Sequence, residues 1–325
     1  MHRRAFLELA AGGALAAAAP SLAFARRSAR GRPLAFATAD DEASVVVLDL
    51  LTGAVRRHIG TNNGPSSIET VGSGRLALVG HAGIGVVSLI DIASLRVSHV
   101  LEGFGEPRYA AAGPGGRYAY VTDAERGELV VIDLARARVI DRVQAGALAR
   151  HLTISPDGRT LFAALGPQAP AIAMLDATDP RHPRLVRTFA PVDRAHDVVV
   201  SSDGTRLWVT SGTTDRVAIH DIRTLAPVAK ISAGAPPQHV AMGNNRVFVA
   251  SGADGRMQVH RRDGQLLRTT RIPLDSYNVT FGFGHVVTPS LMLGTVTTLG
   301  STGAFIRRER VTAAAHDACV ARALR

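Results

Sequence analysis

Apolar and polar residues alternate with a period of two through most of the chain, in short runs separated by turn residues. The pattern is clearest in residues 107–146, where it predicts four strands: Arg108–Ala112, Tyr118–Thr122, Glu128–Asp133 and Arg138–Val143. Glycine- and proline-containing segments separate the first three of these, because glycine permits positive φ and proline presets φ for a turn. A lone four-stranded antiparallel sheet leaves one face and both edges uncovered, so this unit needs neighbours.

The unit recurs about every forty residues. A hydrophobic run that ends in aspartate marks each copy, at Asp49, Asp91, Asp133, Asp176 and Asp221. The spacing runs from 42 residues (49 to 91) to 45 residues (176 to 221). Four strands repeated at this period are typical of the blades of a β-propeller. One aspartate per blade cannot converge on a substrate, so we expect these carboxylates to be hydrogen-bond acceptors in turns.

Seven blades can be counted, and the first has only three strands of its own. They span residues 34–59, 65–103, 107–146, 149–190, 194–234, 237–275 and 276–311. After the seventh blade, Ala315–Val320 repeats the opening of the fifth, Ala195–Val200. We therefore predict a single all-β domain over residues 33–325, a seven-bladed β-propeller of four-stranded antiparallel blades. The C-terminal strand joins the N-terminal blade and closes the ring, which removes exposed edge strands.

The second strands of the blades share a short motif, which reads YVTD at Tyr120–Asp123, WVTS at Trp208–Ser211 and FVAS at Phe248–Ser251. These tetrads resemble the YVTN repeats of exported bacterial seven-bladed propellers, a group that includes cytochrome d1-like and lactonase-like proteins. The resemblance covers residues 33–325 and implies the fold. It leaves the function open, because related propellers bind cofactors, hydrolyse lactones or bind partner proteins.

The N-terminal residues 1–25 read as a signal peptide. Arg3-Arg4 followed by Phe6-Leu7 resembles a twin-arginine export motif, and Ala23-Phe24-Ala25 supplies a small-residue cleavage site. The apolar run between them is short for a bilayer span. We expect residues 26–32 to be a flexible arm and the mature protein to be periplasmic or secreted, without a stable membrane span.

The charge and the cysteine count bear on which functions are possible. The chain has 37 Lys and Arg against 27 Asp and Glu, a net charge of +10. The arginines are scattered and no aromatic-basic stripe accompanies them, so we do not expect nucleic-acid binding. Cys319 is the single cysteine, which excludes an intrachain disulfide and a Cys-x-x-Cys-His haem attachment.

Polar pairs stand at the start of every innermost strand, where a propeller has the mouth of its central channel. The pairs are Ser66-Ser67, Arg108-Tyr109, Arg150-His151, His196-Asp197, Gln238-His239, Tyr277-Asn278 and His316-Asp317. Successive strand residues face opposite ways, so we expect one member of each pair to face the channel. The candidate ligand-binding residues are Arg108, Tyr109, Arg150, His151, His196, Asp197, His239, Tyr277, His316 and Asp317.

Two kinds of ligand suit these residues. Neutral imidazoles are ligands for copper, zinc or iron, which makes His151, His196, His239 and His316 the candidate metal ligands. Arg108 and Arg150 would instead suit an anionic ligand. The propellers of nitrous oxide reductase and the haem-d nitrite reductases place histidines at comparable strand starts, which implies a copper or haem site by resemblance. A polar channel mouth filled only with water is the third reading.

The function that we favour from the sequence is binding rather than catalysis. The protein would be a periplasmic propeller that holds a small ligand, cofactor or metal at the channel mouth, accessory to a redox or metal-handling system. Its partner would be a small molecule or another periplasmic protein. One alternative is a lactonase-like hydrolase in which His196-Asp197 or His316-Asp317 act as base and orienting acid near Arg150. Another is a protein-interaction scaffold without catalysis.

Overall fold

A computed structural model describes residues 31–236 and 239–323 of the chain. The predicted signal peptide and nearly all of the predicted arm lie outside these residues. The described part is almost entirely β-structure, with five single-turn 3₁₀ segments (Asp40–Glu42, Gly72–Gly74, Ala82–Ile84, Pro114–Gly116 and Gly252–Asp254) and no α-helix. Within it, no helix is long and apolar enough to cross a membrane.

The described residues form 28 strands. In chain order they are β1 (Arg32–Ala39), β2 (Ser44–Asp49), β3 (Val55–Gly60), β4 (Ser67–Val71), β5 (Leu76–His81), β6 (Val86–Asp91), β7 (Arg96–Leu101), β8 (Pro107–Ala112), β9 (Tyr118–Asp123), β10 (Glu128–Asp133), β11 (Arg138–Gln144), β12 (Ala149–Ile154), β13 (Thr160–Leu165), β14 (Ile172–Asp176), β15 (Arg184–Phe189), β16 (Ala195–Val200), β17 (Arg206–Ser211), β18 (Arg216–Asp221), β19 (Pro227–Ser232), β20 (His239–Gly243), β21 (Arg246–Ser251), β22 (Arg256–His260), β23 (Leu266–Arg271), β24 (Thr280–Gly282), β25 (His285–Ser290), β26 (Thr295–Gly300), β27 (Phe305–Arg310) and β28 (Ala315–Ala323).

These strands pair into seven four-stranded antiparallel sheets. Six sheets each use four consecutive strands: β4–β7 form blade two, β8–β11 blade three, β12–β15 blade four, β16–β19 blade five, β20–β23 blade six and β24–β27 blade seven. Blade one has the order β28-β1-β2-β3, so it joins the two ends of the propeller. The predicted all-β, seven-bladed propeller is confirmed.

The closing strand pairs with the first strand along nearly its whole length. Leu34 lies opposite Ala321 and Phe36 lies opposite Cys319. All four of these side chains are buried. The sequence match between the last strand and the opening of blade five therefore reflects the same position in the ring, and the predicted closure is confirmed.

The core lies between neighbouring blades. The second strand of six blades contributes a large buried side chain: Phe36, Leu78, Tyr120, Phe162, Trp208 and Phe248. Three of the six stand first in the YVTD, WVTS and FVAS tetrads, so the motif encodes a residue that packs between sheets. The fourth strands, by contrast, are mostly exposed, as in β15. Burial is thus greatest in the two middle strands of a blade and lower in the outermost and innermost strands, as β9 and β10 show beside β8.

The aspartates that mark the repeat are turn acceptors, as expected. Asp49 accepts hydrogen bonds from the backbone N–H groups of Leu51 and Thr52, and Asp221 accepts from Arg223 and Thr224. Each carboxylate satisfies the turn that leads from the third strand to the fourth.

Candidate functional site

The innermost strands enclose a cavity of about 160 Å³ on the central channel. Seven of its lining residues are the second members of the seven polar pairs: Ser67, Tyr109, His151, Asp197, His239, Asn278 and Asp317. One residue of every polar pair therefore lines the cavity. Gln238 lies outside the described residues.

Four innermost strands carry an extra residue at the polar pair. On β16, Ala195 lies opposite Ser211 and Val198 opposite Val209, so three steps on one strand match two on the other. The same offset occurs on β8, β12 and β28. A β-bulge of this kind re-aims side chains. It explains how His196, the first member of its pair, also reaches the histidines of neighbouring blades.

A threonine on the adjacent strand supports three of the bulges. The hydroxyl of Thr210 accepts the N–H of Asp197 at 2.9 Å, and that of Thr38 accepts the N–H of Asp317 at 3.0 Å. Thr122 accepts the N–H of Tyr109 at 3.2 Å. These N–H groups are buried or partly buried and need acceptors. The threonine of the YVTD and WVTS tetrads is thus a support for the channel mouth.

Three histidines from blades four, five and six converge at this mouth. His151, His196 and His239 each offer a ring nitrogen within 4.8 Å of the others. The ring centroids are 4.4 Å apart for His151 and His196, 4.8 Å for His151 and His239, and 5.4 Å for His196 and His239. We call these residues the histidine triad. In the described residues it is the single group of three or more potential ligands that lie this close together.

A hydrogen bond orients the His196 ring, and a carboxylate lies behind the His239 ring. Nδ1 of His196 lies 3.0 Å from the carbonyl oxygen of Pro167. A carbonyl only accepts, so this Nδ1 carries the proton and Nε2 keeps its lone pair. Nδ1 of His239 lies 3.5 Å from the Asp197 carboxylate. Metal-binding histidines typically have such an acceptor on the far nitrogen.

The third ring has no such partner. His151 is 1 % exposed, and neither of its ring nitrogens has a hydrogen-bond partner. Buried polar atoms without partners are uncommon and cost about 1–3 kcal/mol each, so they call for an explanation. A metal ion that accepts the lone pair of one ring nitrogen would give that nitrogen the partner it lacks.

The triad is electrostatically suited to bind a cation as neutral imidazoles. Burial lowers the pKa of His196 to about 4, and the His239 ring acts in the same direction. Burial also holds the pKa of His151 well below its usual value, helped by the two neighbouring histidines and by Arg150. Neutral imidazole is the form that binds metals, so protons compete little for these two rings near pH 7.

The two aspartates of the polar pairs join neighbouring blades. Asp197 accepts the N–H of Val198 at 2.8 Å and, across the blade boundary, that of Val240 at 3.0 Å. Asp317 repeats the arrangement on Ala318 at 2.8 Å and Ile68 at 2.9 Å. Neither aspartate orients the histidine beside it in sequence: the Asp197 carboxylate faces His239, and the carboxylate that faces His316 is that of Asp40.

The fourth predicted metal ligand lies apart from the triad. Nδ1 of His316 is 2.9 Å from the carboxylate of Asp40. Although burial opposes it, the Asp40 interaction raises the pKa of His316 above its ordinary value. The structure therefore brings three of the four predicted metal ligands together and pairs the fourth with an acid. No sequence pattern marks Asp40, which stands in the turn after β1.

Tyr277 also faces away from the channel. Its hydroxyl donates to Asp275 at 2.7 Å, while its neighbour Asn278 lines the cavity. Tyr109, in contrast, stacks on the His151 ring with centroids 4.1 Å apart. Arg108 and Arg150 precede Tyr109 and His151 in sequence and lie close enough for their charges to lower the pKa of His151. Arg108 also contacts Glu106 at 3.2 Å.

Comparison with known proteins gives the fold and nothing finer. No family model and no curated protein matches the chain. Among solved structures, the Kuenenia stuttgartiensis hydrazine synthase superposes with a TM-score of 0.75 at 18% identity, covering 82% of this chain and 92% of that one. The structure of apo AztD from Citrobacter koseri superposes at 0.70 with 12% identity, covering 89% and 98%. The YVTN and cytochrome d1-like resemblance stays a prediction.

Proposed function

We propose that the protein is a metal-binding propeller of the periplasm, in which the histidine triad holds one divalent transition-metal ion at the channel mouth. The observation that carries the proposal is the convergence of three ring nitrogens within 4.8 Å. Three imidazoles with one position left open are a known ligand set for zinc, and imidazole also suits copper and iron.

The separations allow an ion with a small adjustment. Two imidazole nitrogens on one tetrahedral zinc lie about 3.3 Å apart, since each zinc–nitrogen bond is about 2.0–2.1 Å. The triad nitrogens, at up to 4.8 Å, must therefore approach by about 1.5 Å at most. Small rotations of the three rings would have to supply this movement, and no hydrogen bond holds the His151 ring.

The role that fits such a site is carrying or delivering the ion. His196 is the partly exposed member of the triad, so exchange of the ion with a small molecule or a partner protein would take place on its side. Export through the predicted Arg3-Arg4 signal would place the protein with other periplasmic components of a metal-handling or redox system.

The test is zinc titration of the mature chain by calorimetry, beside His151→Ala and the control His316→Ala. We expect one equivalent of zinc in the wild type. Structural zinc sites with four ligands are worth about 10–16 kcal/mol, about 3–4 per ligand, so His151→Ala should weaken binding about 100-fold or more. His316→Ala should bind as the wild type does. Equal loss in both variants, or no zinc binding by the wild type, would contradict the proposal.

A further inference from the structure

Each of two arginines beside the triad has one buried N–H donor without an acceptor. Arg108 and Arg150 open the innermost strands of blades three and four. The Nε atom of each is buried without a hydrogen-bond partner. Within residues 31–236 and 239–323, Arg150 has no ion-pair partner and Arg108 has only Glu106, at 3.2 Å. Two positive charges thus face one carboxylate.

The arginines also act on each other. Burial lowers the pKa of Arg150, and the charge of Arg108 lowers it further, while Tyr109 and Glu106 act in the opposite direction. The other acids of the channel are engaged elsewhere. Asp197 contacts His239 and two backbone N–H groups. The other two acids that line the cavity are Asp317 on blade one and Glu69 on blade two. Asp317 accepts hydrogen bonds from two backbone N–H groups, and Glu69 accepts one from the N–H of Thr70.

A metal ion would make this imbalance larger. Three neutral imidazoles leave both charges of a divalent ion uncompensated, and the positive field of Arg150 and Arg108 already reaches His151. Like charges this close repel each other strongly inside a protein. An anion between the ion and the two guanidinium groups would remove the repulsion and give the buried Nε atoms an acceptor.

We propose that Arg108 and Arg150 bind a small carboxylate-type anion, which also fills the fourth coordination position of the triad's metal ion. The planar guanidinium fork matches a carboxylate with two parallel hydrogen bonds. The carboxylate's second lone pair remains for the metal. This inference rests on the proposed function, because it assigns the open position of that site.

The experiment titrates zinc chloride into the full mature chain in a chloride buffer, then with sodium acetate or sodium sulfate added. Acetate should tighten zinc binding about 10- to 100-fold, the size of one hydrogen bond to a charged group. Sulfate also matches a guanidinium fork but is bulkier than a planar carboxylate, so between the ion and the two arginines it should give much less. The Arg108→Gln/Arg150→Gln double variant should lose the acetate effect. Arg194→Gln removes the same charge from an exposed arginine nearby and should keep it.

Each outcome supports or overturns either the anion site or the zinc site. Zinc binding that does not depend on acetate, an equal effect of sulfate, or an unchanged acetate effect in the double variant would overturn the anion site and leave the triad standing. Absence of zinc binding in every buffer would overturn the proposed function itself. The comparison of buffers in the wild type needs no variant, so poor folding of the double variant would not hide the answer.

Discussion

Asp197→Asn separates the two tasks that the structure gives to one carboxylate. Asp197 joins blades five and six through two backbone N–H groups, and it also contacts Nδ1 of His239. Asp317 performs the first task between blades one and two and contacts no member of the triad within hydrogen-bonding distance. Asp317→Asn is therefore the matched control, with the same chemical change at the equivalent place in the ring.

The two tasks predict different losses. An asparagine has one oxygen where aspartate has two, so in both variants one buried N–H loses its acceptor. That should lower the free energy of unfolding by about 1–3 kcal/mol in each. Removal of the acceptor behind a metal-binding histidine costs about 10- to 100-fold in metal affinity, which should appear in Asp197→Asn alone.

The assay pairs urea denaturation of the metal-free protein with zinc titration of the folded protein. Similar stability losses in the two variants, with weaker zinc binding only in Asp197→Asn, are the expected result. Loss of zinc affinity to the same degree in Asp317→Asn would refute the orienting role of Asp197. Unchanged affinity in both variants would show that His239 needs no carboxylate behind it.

Three further predictions concern the fold around the site. Thr38→Val removes the acceptor of the Asp317 N–H and should cost about 1–3 kcal/mol in urea denaturation, whereas Thr38→Ser should keep most of the stability. Glu69 reaches the water of the channel, but its enclosure by the surrounding strands, with the nearby Asp317, raises the pKa of Glu69 to about 8. Between pH 4.5 and 8 the folded chain therefore holds a proton that the unfolded chain releases. Stability should fall as the pH rises through this window, and Glu69→Gln should show a smaller fall in melting temperature; equal falls would contradict the assignment. Deletion of β28 should abolish cooperative thermal unfolding by circular dichroism, because it opens the ring and exposes the core edge of β1; a melting transition near that of the full chain would count against closure.

Much of the fold follows from the sequence because its determinants are local and repeated. The predicted strand Arg108–Ala112 is Pro107–Ala112 in the structure, and Glu128–Asp133 is unchanged. Period-two alternation and glycine-containing turns set these bounds, and seven copies reinforce one another. Closure could be predicted because Ala315–Val320 repeats the opening of blade five.

The site was harder to predict because it depends on geometry that alternation does not encode. Alternation places His151 and His239 in the channel but gives no reason for His196 to join them. The bulge on β16, together with the Pro167 carbonyl that holds Nδ1 of His196, places the ring there. Likewise, the pairing of His316 with Asp40 depends on where a turn in blade one comes to lie, 276 residues away in sequence. Only the closed ring brings these groups together.

Anomalous diffraction from a zinc-soaked crystal tests directly whether one metal ion sits among the three imidazoles. We expect a single strong peak at the channel mouth, about 2.0–2.1 Å from one nitrogen each of His151, His196 and His239. Zinc bound only at His316 or at surface carboxylates, with the triad rings still apart, would contradict it.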